Sequence, residues 1–211
     1  KQLAIDFQYN GEDDYVPNHL KMCVEVKVCM TDECRGEDVS RLTSIPEVGI
    51  QRVLNQASVS GNIDLLNRIL SLNTWVDFYS KDGQSALIKA AGAAQSSSLK
   101  ILIAKGADVN LQDAKGNTSL HELAKVLSIS SAEALQILIA AGANLEIKND
   151  MSETALIVAA KKLNLESVKL LLAAGADMSA VDINNENAIN ILRSSAQADD
   201  LLAELGVVVA N

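Results

Sequence analysis

Ile101-Leu102-Ile103-Ala104-Lys105-Gly106-Ala107-Asp108-Val109-Asn110 reads as a helix that runs into a glycine and leaves as an extended turn. The phrase returns as Ile137-Leu138-Ile139-Ala140-Ala141-Gly142-Ala143-Asn144-Leu145-Glu146, and again as Leu170-Leu171-Leu172-Ala173-Ala174-Gly175-Ala176-Asp177-Met178-Ser179. The three glycines lie 36 and then 33 residues apart. Recurrence near a 33-residue period marks stacked units, none of which can bury its own apolar face alone. Each glycine is placed to take a positive φ at a helix end, where alanine costs on the order of 1 kcal/mol.

The units align on the residue that opens each first helix: Leu54, Leu87, Leu120, Leu156 and Ile189, spaced 33, 33, 36 and 33 apart. From that residue to the turn glycine is 19 residues for Leu87 and Leu156 but 22 for Leu120, which places three extra residues within Val126–Ser131. Asn73 stands where the first unit should have its glycine, and Ile189 to Gly206 is only 17, a truncation. In the first unit Ile50, Val53, Leu54 and Ala57 make one apolar face. After Ser60-Gly61-Asn62, residues Ile63, Leu65, Leu66, Ile69 and Leu70 make another, which predicts a helical hairpin. Ala90, Ala91, Ala124, Ala159 and Ala160 are small enough to let helices approach closely, and Thr118 and Thr154 are placed to cap the helices that follow them.

Thr118-Ser119-Leu120-His121-Glu122-Leu123-Ala124 resembles the ankyrin phrase Thr-Pro-Leu-His-x-Ala, with weaker versions at 85–91 and 154–160. Asp113-Ala114-Lys115-Gly116-Asn117-Thr118 is similar to the family's Asp-x-x-Gly-x-Thr turn. Ser, Ala or Val stands where the family has proline, and histidine occurs in one unit only. The resemblance implies a mainly α fold, an ankyrin-repeat solenoid over residues 47–211. Its five units are expected at 47–79, 80–112, 113–148, 149–181 and 182–211, with degenerate terminal caps.

Residues 1–46 do not share the repeat. Leu3–Tyr9 and Met22–Met30 alternate as two short strands, and Thr31 to Glu47 reads as a polar linker. Two strands cannot stand alone, so this β-containing segment is expected to pack on the repeats or to end a preceding domain. The chain begins at Lys1 without methionine or a signal-peptide pattern, which leads us to expect a piece of a longer protein.

Apolar residues make up 48% of the chain but aromatics only 3%, so the core mass is Ala, Leu, Ile and Val, which suits packed helices. With 18 basic and 27 acidic residues the net charge is −9, and no basic run offers phosphate contacts, which argues against nucleic acid. The acidic balance favours protein partners, basic ones among them. No apolar run is long enough to span a membrane. Cys23, Cys29 and Cys34 all fall in the first segment, an odd set that makes no disulfide framework and fits a reducing compartment, cytoplasmic or nuclear. A monomer is expected.

Catalytic chemistry finds little purchase. His121 occupies the position where the ankyrin resemblance implies a structural histidine tying neighbouring turns together, and His19 sits in an irregular segment. The cysteines are separated by five and four residues and lack an obvious fourth ligand, so zinc is disfavoured and free thiols are the default. Gly92 and Gly116 sit in no phosphate-cradling loop, and no catalytic carboxylate pair emerges, so no cofactor is expected. Gln2-Leu3-Ala4-Ile5-Asp6-Phe7 resembles the closing strand of SET-type lysine methyltransferase domains. That resemblance implies the alternative of an enzyme's C-terminal part whose repeats help select a chromatin-associated substrate, with cofactor motifs upstream of Lys1. The cysteines lack the Cys-x-Cys pattern of the zinc segment that follows many such domains. Short ankyrin arrays also occur in eukaryotic proteins and in effectors of intracellular bacteria.

The ankyrin resemblance implies recognition of a protein through a concave groove made by the turn tips and the exposed side of each first helix. Carried over position by position, the tips are Tyr79, Lys81, Asp82 and Gln84, then Gln112, Lys115 and Asn117, then Lys148, Asp150, Met151 and Glu153. Val181, Ile183, Asn184 and Glu186 follow, and Lys125, Lys161 and Lys162 come from the first helices. Tyr79 and Met151 are the expected apolar anchors, with Trp75 able to join them.

Overall fold

Helical periodicity gives way at each turn glycine, and the computed structural model follows it over residues 47–71, 76–77, 80, 83–195 and 203, which are the residues described. The two expected strands and their SET resemblance, the cysteines, His19, Asn73, Trp75, Tyr79, Lys81, Asp82 and Gly206 lie outside the described residues. Among the described residues there are nine helices: α1 (Glu47–Ser60), α2 (Ile63–Leu70), α3 (Ala86–Gly92), α4 (Ser96–Ala104), α5 (Ser119–Ala124), α6 (Ile129–Ala140), α7 (Ala155–Lys161), α8 (Leu165–Ala173) and α9 (Ala188–Arg193). No strand occurs among these residues; an isolated antiparallel bridge joins Val181 and Asn187.

The helices stack in two layers. The first helices contact one another in series, α1 on α3, α3 on α5, α5 on α7 and α7 on α9, while α2, α4, α6 and α8 form the second layer. Between the layers runs one continuous core of Leu54, Leu66, Leu87, Leu99, Leu102, Leu120, Leu123, Leu135, Leu138, Leu156, Leu171 and Leu192, all buried. Each such side chain contributes roughly 1.5–3 kcal/mol by leaving water. The alanines of the first helices fill the rest: Ala90, Ala91, Ala124, Ala159 and Ala160 are fully buried, which is the close approach expected of them. The result is a mainly α solenoid.

Helix starts are fixed by side-chain oxygens. Ser85 accepts the Ile88 N–H at 3.3 Å, Thr154 accepts the Ile157 N–H at 3.5 Å and Asn187 accepts the Asn190 N–H at 2.9 Å. At α5, Thr118 and His121 close a reciprocal capping box. Helix ends rest on Gly106, Gly142 and Gly175, with φ of +88°, +84° and +94°. The three extra residues of the third unit mainly lengthen its second helix: α6 has 12 residues against 9 in α4 and α8.

Candidate functional site

Between successive hairpins the chain makes a tip built on one repeated device. Asp113 accepts the N–H groups of Lys115 and Asn117 through Oδ1, at 2.9 and 2.8 Å. Asn149 does the same for Met151 and Glu153 at 2.9 and 3.0 Å, and Asp182 for Asn184 and Glu186 at 2.8 and 3.0 Å. An Asx side chain here replaces water at backbone donors that the turn leaves open. The residue that reverses each tip has positive φ: Gly83, Gly116, Ser152 and Asn185.

The tips are also bonded to each other. Lys115 O accepts the Asp150 N–H at 3.0 Å, and Met151 O accepts the Ile183 N–H at 3.1 Å. Side chains reinforce the row: Asn149 donates to Asn117 Oδ1 at 3.0 Å, and Lys148 Nζ donates to Val181 O at 3.1 Å. A second ladder runs along the opposite ends of the turns. The Asp77 carboxylate accepts the Asp108 N–H, Asn110 accepts that of Asn144, and Glu146 accepts that of Asp177, at 3.1, 2.8 and 2.9 Å. Burial, with Asp108 nearby, holds the Asp77 carboxyl above its ordinary value despite that bond.

His121 lies buried beneath the tips. Its Nδ1 accepts the Thr118 N–H at 3.1 Å, so the ring proton sits on Nε2, which donates to Glu153 O of the next unit at 2.9 Å. Desolvation is the main force holding its pKa below the ordinary histidine value. Nδ1 thus fixes the start of its own helix while Nε2 ties α5 to the next unit, the role implied by the family resemblance.

The tips and the C-terminal ends of α5 and α7 enclose an open cleft of ≈ 510 Å³. It brings together Lys115, Asn117, Lys125, Asp150, Met151, Glu153, Lys161 and Lys162, all expected contact residues, with Asn149 and Val158. Gln84 and Lys148 belong to the same row of tips but not to this cleft: Gln84 donates to Asp113 Oδ2 at 3.3 Å, and Lys148 caps Val181 O. Several of the assembled groups are already occupied. Lys125 pairs with Glu122 at 2.6 Å, and Asn117 is buried against Asn149. Lys161 bridges Glu153 at 2.7 Å and Asp182 at 2.6 Å, joining two consecutive tips.

The charges follow these contacts. The Lys161 hydrogen bond, aided by the Glu186 and Asn184 N–H groups, lowers the Asp182 carboxyl to about 2. For Glu153, desolvation pushes upward but Lys161 and Asn149 outweigh it and leave the pKa lowered. Lys161 is the mirror case: desolvation pulls down, Asp182 and Glu153 prevail, and the ammonium is held above its usual value. At Asp113 desolvation is likewise overcome by the Asn117 and Lys115 N–H groups.

Met151 is 48% exposed at its tip, while Val158 on α7 is 4% exposed on the cleft floor. Neither Asn149 nor Val158 stands out as a site residue from the sequence. Asn149 occupies the Asp113 position of the Asp-x-x-Gly-x-Thr turn, a signal that aligning the tips would expose; Val158 has the pattern of ordinary core.

A family model for ankyrin repeats, three copies, matches residues 54–149 and 93–182. The chain belongs to the ankyrin repeat family. A curated relative from Homo sapiens, SH3 and multiple ankyrin repeat domains protein 2, is 28% identical over 137 residues, covering 60% of this chain and 7% of the relative. The chain therefore spans a small part of that relative's length. Ankyrin solenoids generally serve as protein-interaction modules, their stacked units presenting an extended binding surface. Among the described residues no helix is long and apolar enough to cross a membrane, and no group of three or more His, Cys, Asp or Glu side chains is placed to hold a metal.

Proposed function

We propose that this chain is a protein-interaction module that recognises a partner protein through the cleft between the 113–117 and 149–153 tips and the ends of α5 and α7. In this reading residues 47–211 form the array, following the N-terminal segment of residues 1–46. The module supplies a surface inside the cell and no chemistry of its own. The observation that carries the reading is the convergence of Lys115, Lys125, Asp150, Met151 and Lys161 on one ≈ 510 Å³ cleft. These residues come from two units, so only a correctly stacked array presents them together. An exposed methionine above an apolar floor supplies an adaptable contact, and the surrounding polar groups fix orientation.

Affinity capture with the full chain tests the proposal. A Lys115→Ala/Met151→Ala/Lys162→Ala variant should keep the wild-type circular dichroism spectrum, because these side chains are exposed, and should lose the captured protein. Undiminished capture by the triple variant would place recognition elsewhere.

A further inference from the structure

The chemistry of the cleft rim singles out one class of occupant, an inference that rests on the cleft being the binding site. Of its four lysines, Lys125 and Lys161 are closed off in ion pairs with Glu122 and with Glu153 and Asp182. Among the described residues neither Lys115 nor Lys162 forms an ion pair. Lys115 projects from one tip and Lys162 from the end of α7, both exposed. Of the two lining carboxylates, Glu153 is bound by Lys161 and Asn149, which leaves Asp150 as the one outside an ion pair. The accessible rim thus offers two uncommitted cations against one carboxylate, on a chain whose net charge is −9. Between them lie exposed Met151 and the Val158 floor.

We infer that the cleft takes an extended acidic segment of a partner protein, which lays one apolar side chain on Met151 and Val158 while its carboxylates meet Lys115 and Lys162. A basic segment would meet two ammonium groups without partners, and like-charge contact across an interface is strongly disfavoured. A nucleic acid strand would be drawn by the same two lysines, but its backbone charge continues past the cleft along an acidic protein, without the counterion release a basic stripe provides.

The test uses three fluorescein-labelled peptides of equal length, each with one central leucine flanked by glutamates, serines or lysines, and a labelled single-stranded oligonucleotide. Fluorescence anisotropy is read with the full chain, with Lys115→Glu/Lys162→Glu and with Met151→Asp. The glutamate peptide should bind best, weaken by about tenfold in the double lysine variant and weaken again at higher salt. Tighter binding of the serine or lysine peptide, lost in Met151→Asp, would overturn the acidic preference while leaving the cleft as the site. Glutamate-peptide binding that ignores both variants would overturn the inference and the cleft reading together. Stronger binding of the oligonucleotide, or no binding by any peptide, would overturn the inference.

Discussion

Two kinds of glycine hold this array together, and alanine should distinguish them. Gly106 and Gly116 have similar backbone angles, φ +88° and +73°. A Cβ on Gly106 would meet nothing within 4 Å, whereas one on Gly116 would fall 2.9 Å from both Asn149 Cα and Asp150 N. For Gly106→Ala only the left-handed backbone counts: about 1–2 kcal/mol of strain, partly offset by roughly 0.4–1 kcal/mol of lost unfolded-state freedom. The net cost is about 1 kcal/mol. Gly116→Ala carries the same term, and its methyl must also push away the neighbouring backbone, which has no flexible end to yield. That displacement breaks the bond from Asp150 N–H to Lys115 O, about 1 kcal/mol, and strains the Asn117–Asn149 pair beside it. The total comes to about 3 kcal/mol. Urea unfolding followed by circular dichroism would measure both. Equal costs for the two variants, within about 0.5 kcal/mol, would refute the claim that close tip-to-tip contact requires Gly116.

Further outcomes follow from the same geometry. His121 has a folded pKa below its unfolded value, so its contribution to stability is present above about pH 6.5 and declines as pH falls below it; His121→Gln should flatten that limb of a pH–stability profile. His121→Ala should cost about 3 kcal/mol in unfolding experiments, since it leaves Glu153 O without its donor and opens a void under the tip. Asp182, lowered to about 2, contributes stability present above the unfolded carboxyl value and lost as pH falls through that range toward 2; Asp182→Asn should remove this acid transition. Leu135→Ala, in a fully buried position between the layers, should cost about 2–5 kcal/mol of unfolding free energy.

The joints were legible in the sequence because only a few residue types tolerate their backbone. Gly106, Gly142 and Gly175 recur for that reason, and the apolar positions that stack Leu87, Leu120 and Leu156 recur with them. The insertion in the third unit was legible as three extra residues, but not its absorption into a longer α6, since Ile129–Ser131 have no strong helical signature. The inter-unit ladder was hidden for a different reason. Its donors are backbone N–H groups, and its acceptors change from Asp77 to Asn110 to Glu146, so no letter repeats. The cleft was half legible. Alignment placed Lys115, Met151 and Lys161 on tips and first helices, but could not show that Lys161 reaches Asp182, 21 residues away, or that Lys162 remains uncommitted. Those facts depend on how two units sit against each other.

A partner that docks on the tips and first-helix ends should shield their backbone amides from solvent. Hydrogen–deuterium exchange of the full chain, with and without a captured partner, measures that shielding segment by segment. Added protection is expected in segments 113–117 and 149–153 and at the end of α7, with α4, α6 and α8 unchanged. Protection confined to α4, α6 and α8 would contradict docking on the tips.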